Sequence, residues 1–235
     1  MPPHDIIGRP VDTYSPQGEG ADLVMGLMRD SRKILAEHPI NRDRISRGKA
    51  PATSIWLWGQ GMKPEMKRLE DNFGLTGVVI SAVDLVKGIG KCAGLEVIEV
   101  PGATGYLDTN YDGKRAAALE ALDKVDFAYV HLEAPDEASH EGNVTSKIKA
   151  IEDFDAKIVG PIVETLSQRD ACRVMVAPDH ITSLEKRTHT ATPVPFAFAG
   201  SGIEPCGIEA YTEAQAESTG IFMENGQKLM EEFLK

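Results

Sequence analysis

From Gly77 onward, short runs of apolar, β-branched residues alternate with segments whose apolar residues recur every three or four positions. The short runs predict strands at 77–82, 96–100, 127–132, 173–177 and 195–199. The others predict helices near 83–93, 114–124, 145–168 and 218–234. In the 145–168 helix, Ile148, Ile151, Ile158, Val159, Ile162, Val163 and Leu166 are read as core-facing, with a kink at Pro161. Near-continuous apolar strands alternating with helices imply an α/β fold, a mostly parallel sheet with helices on both faces.

The first part of the chain has a different rhythm. Residues 1–20 are rich in proline and glycine and show little periodicity. Leu23, Val24, Leu27, Met28, Ile34 and Leu35 then recur at helical spacing until Pro39, predicting a helix over 21–38. A polar, basic stretch (41–49) leads into Ser54-Ile55-Trp56-Leu57-Trp58, read as a strand with both tryptophans on one core-facing side. The length of the chain allows one large domain or two small ones.

Composition narrows the classes. The 235 residues carry 36 Asp and Glu against 25 Lys and Arg, a formal net charge of −11. Nucleic-acid binding needs clustered cations that release counterions, so an acidic chain of this kind argues against it. No basic-then-apolar leader opens the sequence and no apolar stretch reaches membrane-spanning length, so neither secretion nor membrane spanning is expected. Cys92, Cys172 and Cys206 are odd in number and far apart, forming neither a disulfide framework nor a zinc knuckle; a reducing cytoplasm fits. Gly88-Ile89-Gly90-Lys91 lacks the first glycine of a phosphate-binding loop, and Gly59-Gln60-Gly61 meets Pro64 where a dinucleotide fingerprint needs a small residue.

Open α/β sheets bind ligands beyond the carboxyl ends of their strands, so the residues there matter most. His131 ends one predicted strand and leads into Glu133, Asp136 and His140; Asp179-His180 follows another; His189 comes nine residues later. Asp136 and His140 are four apart, which on a helical turn presents a carboxylate and an imidazole on one face, suited to a shared metal ion. Asp and His sets without cysteine favour Mn²⁺ or Zn²⁺, with Mg²⁺ less suited to imidazole. Taken singly, each pair also reads as a capping or hydrogen-bonding pair, and His131 as a core histidine.

The segments HLEAPDEASHEG, APDH and RTHT, with EVPGATGYLDTNYDGK and AVDLVKGIGK ahead of them, resemble the cofactor-independent phosphoglycerate mutases of the archaeal type. These are two-metal phosphotransferases of the alkaline-phosphatase superfamily. The resemblance runs over nearly the whole chain. It implies that Asp136, His140 and His189 bind one divalent ion and Asp179 and His180 a second, with His131 and Glu133 behind them. It also implies a phosphoglycerate substrate, a phosphoryl group moving between the 2- and 3-hydroxyls of glycerate through a phosphoenzyme, and glycolytic isomerase activity. Weaker candidates for meeting the substrate's anionic groups are His4, Asp5, Arg42, Arg44, Arg47 and Lys87.

The chain departs from that family in one respect. Members are longer and begin with a strand bearing an Asp ligand, followed by a Ser or Thr nucleophile, and neither is recognised here. By this resemblance the chain reads as the C-terminal portion, with 1–52 the remainder of an inserted substrate domain, 53–235 the metal-binding, phosphatase-like domain, and the sheet incomplete at its N-terminal side. Such a piece is expected to be inactive alone and prone to oligomerise or to need a missing N-terminal portion, because a lost strand leaves an unpaired edge. The alternatives are a two-metal hydrolase of phosphate or sulfate monoesters, and a metal-binding partner subunit without activity.

Overall fold

Val78, Val79 and Ile80 expose only 1–2% of their surface, as befits a parallel central strand covered on both faces. They belong to β1 (Gly77–Ile80) in a computed structural model of the protein. The structure describes residues 1–235 apart from the side chains of His4 and Asp5, so that candidate pair lies outside the described residues. The chain divides into two units, Met1–Lys63 and Pro64–Lys235.

In the first unit, α1 (Ala21–Glu37) is followed directly by α2 (Pro39–Ser46). Pro39 forces His38 out of the helical region, and its missing N–H costs nothing at the start of the next helix. Asn41 is buried; it donates to the Leu35 and Ala52 carbonyls, both at 2.7 Å, and accepts from Ala52 N at 2.9 Å. The basic stretch is therefore largely a helix. The strand expected at 54–58 does not form among the described residues. Ile55 N donates to Ser31 Oγ of α1 at 3.1 Å, and Trp56 Nε1 donates to the Met1 carbonyl at 2.9 Å, so a helix side chain takes the place of a partner strand. Trp58 is exposed rather than core.

The second unit opens with α3 (Leu69–Phe73) and continues β1, α4 (Asp84–Cys92), β2 (Glu96–Val97), α5 (Tyr111–Ala121) and β3 (Phe127–Val130). The three strands are parallel in the order β2-β1-β3, with Val79 opposite both Val97 and Tyr129. Helix α4 lies close against β1, for a Cβ on Gly90 would stand 2.5 Å from Val79 Cγ1. The α5 face of Tyr111, Lys114, Ala118 and Ala121 is buried.

After β3 come α6 (Ala134–His140), α7 (Val144–Phe154), a π-helical turn (Asp155–Val159) and α8 (Gly160–Leu166). The single helix expected over 145–168 is thus interrupted just before Pro161, whose ring and missing N–H cannot continue regular α pairing. Ile158 and Leu166 are buried, whereas Ile148, Ile151 and Val163 are exposed, contrary to the expected core face. The chain ends with β4 (Arg173–Val176), β5 (Ile181–Ser183), β6 (Thr188–Thr190), β7 (Ala197–Gly200), α9 (Glu213–Ser218) and α10 (Leu229–Leu234). The C-terminal helix expected over 218–234 is broken by Gly220 at φ +68° and by Asn225, whose side chain caps a short 3-10 turn.

Strand β4 pairs antiparallel with β7, and β5 with β6 as a hairpin. Among the described residues, β3 bonds only to β1 and β4 only to β7, so each has an unpaired edge.

Candidate metal centre

Three side chains from two elements, two on α6 and one on β6, converge beyond β3. Helix α6 begins with Ala134-Pro135, carries Asp136 and Glu137 in its first turn where the helix dipole favours negative charge, and is closed off just beyond His140 by Gly142 with φ +70°. One turn of this helix places Asp136 Oδ2 3.3 Å from His140 Nε2. The β5–β6 hairpin supplies the third group: its register sets Thr182 opposite His189. His189 Nε2 stands 3.4 Å from Asp136 Oδ1 and 3.1 Å from His140 Nε2. The Thr182 hydroxyl donates to Asp136 Oδ1, fixing the carboxylate from behind.

These separations have a chemical meaning. Donor atoms about 2.0–2.1 Å from one tetrahedral ion stand about 3.3–3.4 Å apart. The tautomers agree with that reading. His140 Nδ1 lies 2.9 Å from the Arg187 carbonyl, which can only accept, so Nδ1 carries the hydrogen and Nε2 of the neutral ring offers its lone pair. A ligating histidine characteristically gives its other N–H to a carbonyl in this way. Lone pairs of Asp136 and His140 that face each other require a cation between them, either a proton on an imidazole or a metal ion.

The second pair is adjacent. The His180 ring stacks on His189 at 3.7 Å between centroids. Thr182 gives its only hydroxyl hydrogen to Asp136, so at 3.3 Å it accepts from His180 Nδ1, leaving His180 Nε2 to face Asp179 Oδ2 at 3.3 Å. Asp179 Oδ1 accepts from the His180 backbone N–H at 2.9 Å. Asp136, His180 and His189 offer donor atoms within 4.8 Å of one another. Carboxylates and imidazoles without thiolate suit Zn²⁺ or Mn²⁺.

Behind this cluster His131 bridges two strand ends. Its Nδ1 lies 3.1 Å from the buried Ser81 Oγ and its Nε2 3.2 Å from Glu133 Oε2. Lys114, 1% exposed, donates to the His131 carbonyl at 3.0 Å, and burial lowers its pKa against the pull of Glu133. Burial, reinforced by the Asp136, Glu137 and Asp179 carboxylates, pushes Glu133 up from 4.5 to about 7. A carboxyl raised in the folded state stabilises below its unfolded value, and that contribution is lost as pH rises through the folded one. Thermal melts of the metal-free chain are therefore expected to show Glu133→Gln more stable than the parent at pH 8, with the gap closing toward pH 4.5. A parent that is the more stable at pH 8 contradicts this placement of Glu133.

Lys87 is held by both oxygens of Glu99, at 3.0 and 2.8 Å, which raises its pKa. Arg44 donates to the Ala50 carbonyl at 2.8 Å and Arg47 pairs with Asp43; both, with exposed Arg42, belong to the first unit. Sequence reasoning missed Thr182, Ser81, Lys114 and the Arg187 carbonyl. Only Lys114 left a trace, being the lone charge at i, i+3, i+7, i+10 spacing with Tyr111, Ala118 and Ala121.

Among the described residues, no helix is long and apolar enough to cross a membrane. A profile of the Metalloenzyme superfamily matches residues 24–234, and one of 2,3-bisphosphoglycerate-independent phosphoglycerate mutase matches residues 1–41. The whole chain is 53% identical to a protein of Geobacter sulfurreducens named a probable 2,3-bisphosphoglycerate-independent phosphoglycerate mutase, covering 59% of it. Over 97% of its length the chain is 52% identical to the 2,3-bisphosphoglycerate-independent phosphoglycerate mutase of Methanothrix thermoacetophila, again covering 59%. It therefore spans about three-fifths of the length of these relatives. A solved protein from Pyrococcus horikoshii superposes with a TM-score of 0.71 at 27% identity, over 88% of this chain and 54% of that one. The fold is also that of a cofactor-independent phosphoglycerate mutase from Thermoplasma acidophilum, with a TM-score of 0.52 at 22% identity over 91% of this chain and 50% of that one. With the profile match running from residue 24 through 234, the α/β fold and the strand-end set of Asp and His, the chain belongs to the Metalloenzyme superfamily.

Proposed function

We propose that this chain is the metal-carrying C-terminal part of a 2,3-bisphosphoglycerate-independent phosphoglycerate mutase acting in the cytoplasm. Asp136, His140 and His189 hold one divalent ion, Mn²⁺ or Zn²⁺, and Asp179 and His180 contribute to a second. The observation that carries this is the meeting of Asp136, His140 and His189 at 3.1–3.4 Å with the second nitrogen of His140 tied to a carbonyl.

When bound, two divalent ions stabilise charge on the attacking and leaving oxygens of a phosphoryl transfer. The chain's own residues prepare that site. Thr182 orients the Asp136 carboxylate, and the Asp179 side chain accepts the His180 N–H, so both carboxylates are directed before substrate arrives. His131 between Ser81 and Glu133 fixes the segment that leads into α6. No residue of this chain is assigned as nucleophile. That group, an Asp ligand and a strand that pairs with the open edges of β3 and β4 belong, in this reading, to the rest of the relatives' length. Residues 1–52 are the remainder of the inserted substrate domain.

The test is reconstitution. The chain alone is expected to give no interconversion of 2- and 3-phosphoglycerate. Joined to the remainder found in its Geobacter relative, it is expected to interconvert them in a divalent-ion-dependent manner, followed by a coupled enolase assay. Release of inorganic phosphate without interconversion overturns the mutase in favour of a monoester hydrolase, and absence of both leaves a non-catalytic metal-binding subunit.

A further inference from the structure

Arg187 is the one non-glycine residue with positive φ, at +54°, among the described residues. It sits at the end of the turn between β5 and β6, where its N–H donates to the Ser183 carbonyl at 2.7 Å. A side chain in this region carries a steric cost that asparagine and glycine largely avoid and β-branched residues feel most. The cost has a visible return: the left-handed backbone turns the Arg187 carbonyl onto His140 Nδ1 at 2.9 Å, across the gap between hairpin and α6. The side chain adds a second tie, for a Cβ on Gly142 would meet Arg187 Nε at 2.7 Å, so the guanidinium lies over the glycine turn that ends α6.

We propose that Arg187 is a positioning residue for the metal centre, acting through its backbone conformation: the left-handed geometry sets the carbonyl that selects the Nδ1–H tautomer of His140 and aims Nε2 at the ion. This rests on the metal reading above, yet it makes a claim about the metal-free chain that can fail separately. Two neighbours on different elements, His140 of α6 and His189 of β6, meet at Nε2 only while hairpin and helix keep this register. The carbonyl and the guanidinium both hold that register, but only the carbonyl determines where the His140 proton sits.

The variants separate the two. Arg187→Gly and Arg187→Asn keep access to positive φ and lose the guanidinium, whereas Arg187→Val keeps a bulky side chain and disfavours the backbone. Zn²⁺ affinity is read by competition with a chromophoric chelator, and the His140 tautomer by long-range ¹H–¹⁵N correlation of the imidazole in metal-free protein. Loss of an outer partner of a ligating histidine weakens binding about 10–100-fold. Val is expected to show a loss of that order together with a shift of His140 away from the pure Nδ1–H form; Gly and Asn are expected to stay within about threefold of the parent and keep its tautomer. Equal affinity and tautomer in Val and parent overturn the proposal, as does a Gly variant as impaired as Val. If Val does not fold, the spectra of Gly and Asn decide: His140 leaving the Nδ1–H form in either overturns it. If Zn²⁺ fails to bind the parent, the metal reading falls while the tautomer spectra still judge the role of Arg187.

Discussion

Asp136→Ala is expected to abolish the stabilisation of this chain by Zn²⁺. Asp136 is the hub of the cluster: Oδ2 faces His140, and Oδ1 faces His189 and takes the Thr182 hydroxyl. Removing it takes away the one carboxylate that joins the imidazoles of α6 and β6, a ligand and not an outer partner, so the loss should exceed the about 10–100-fold that an outer partner costs. A ligand at 100 times its Kd stabilises by about 2.7 kcal/mol, which in a domain of 150–250 residues is a rise of about 5–10 °C in Tm. The parent should show that rise on Zn²⁺ addition in calorimetry and Asp136→Ala should show none. A rise in the variant equal to the parent's places the metal elsewhere.

Ile80→Ala is expected to be the most damaging single truncation in the core, at about 2–5 kcal/mol in denaturant unfolding. Ile80 is 1% exposed, sits on the middle strand of the parallel set opposite Val130, and its carbonyl accepts from His131 N at 2.9 Å. The substitution removes three methylene-sized groups where sheet and helices meet and leaves a cavity that β-strand backbone cannot close. Domains of this size hold only about 5–15 kcal/mol in all, so the variant should be marginal at 37 °C. Ile151→Ala is the control. That residue reads as core from its spacing but is 50% exposed, and the change should stay within about 0.5 kcal/mol. A larger effect at Ile151 than at Ile80 contradicts the described core.

Periodicity alone placed β1 and β3, because both are apolar runs that no polar residue interrupts, fully buried in β1 and half-buried in β3. It misplaced 54–58, whose apolar run over 55–58 is the same signal but whose backbone meets Ser31 rather than a strand. The hairpin was invisible for the opposite reason. Ile181–Ser183 and Thr188–Thr190 are three residues each and mostly polar, below any pattern, and only their pairing brings His189 over Asp136. The pair Asp136 and His140 was legible because both lie on one helical turn. Their meeting with His189 followed from the family resemblance and not from spacing, being set by a cross-strand register that local sequence does not encode. Spacing also overran at the C-terminus, where Gly220 and Asn225 divide one apparent helix into pieces.

The central claim is that Asp136, His140 and His189 share one divalent ion. X-ray absorption at the zinc edge, on chain loaded with one equivalent of Zn²⁺, reads the ligands directly. The predicted result is a first shell of nitrogen and oxygen at about 2.0–2.1 Å with multiple scattering from imidazoles, reduced by one in His140→Ala. A sulfur shell at about 2.3 Å, or a spectrum unchanged in His140→Ala, would contradict it.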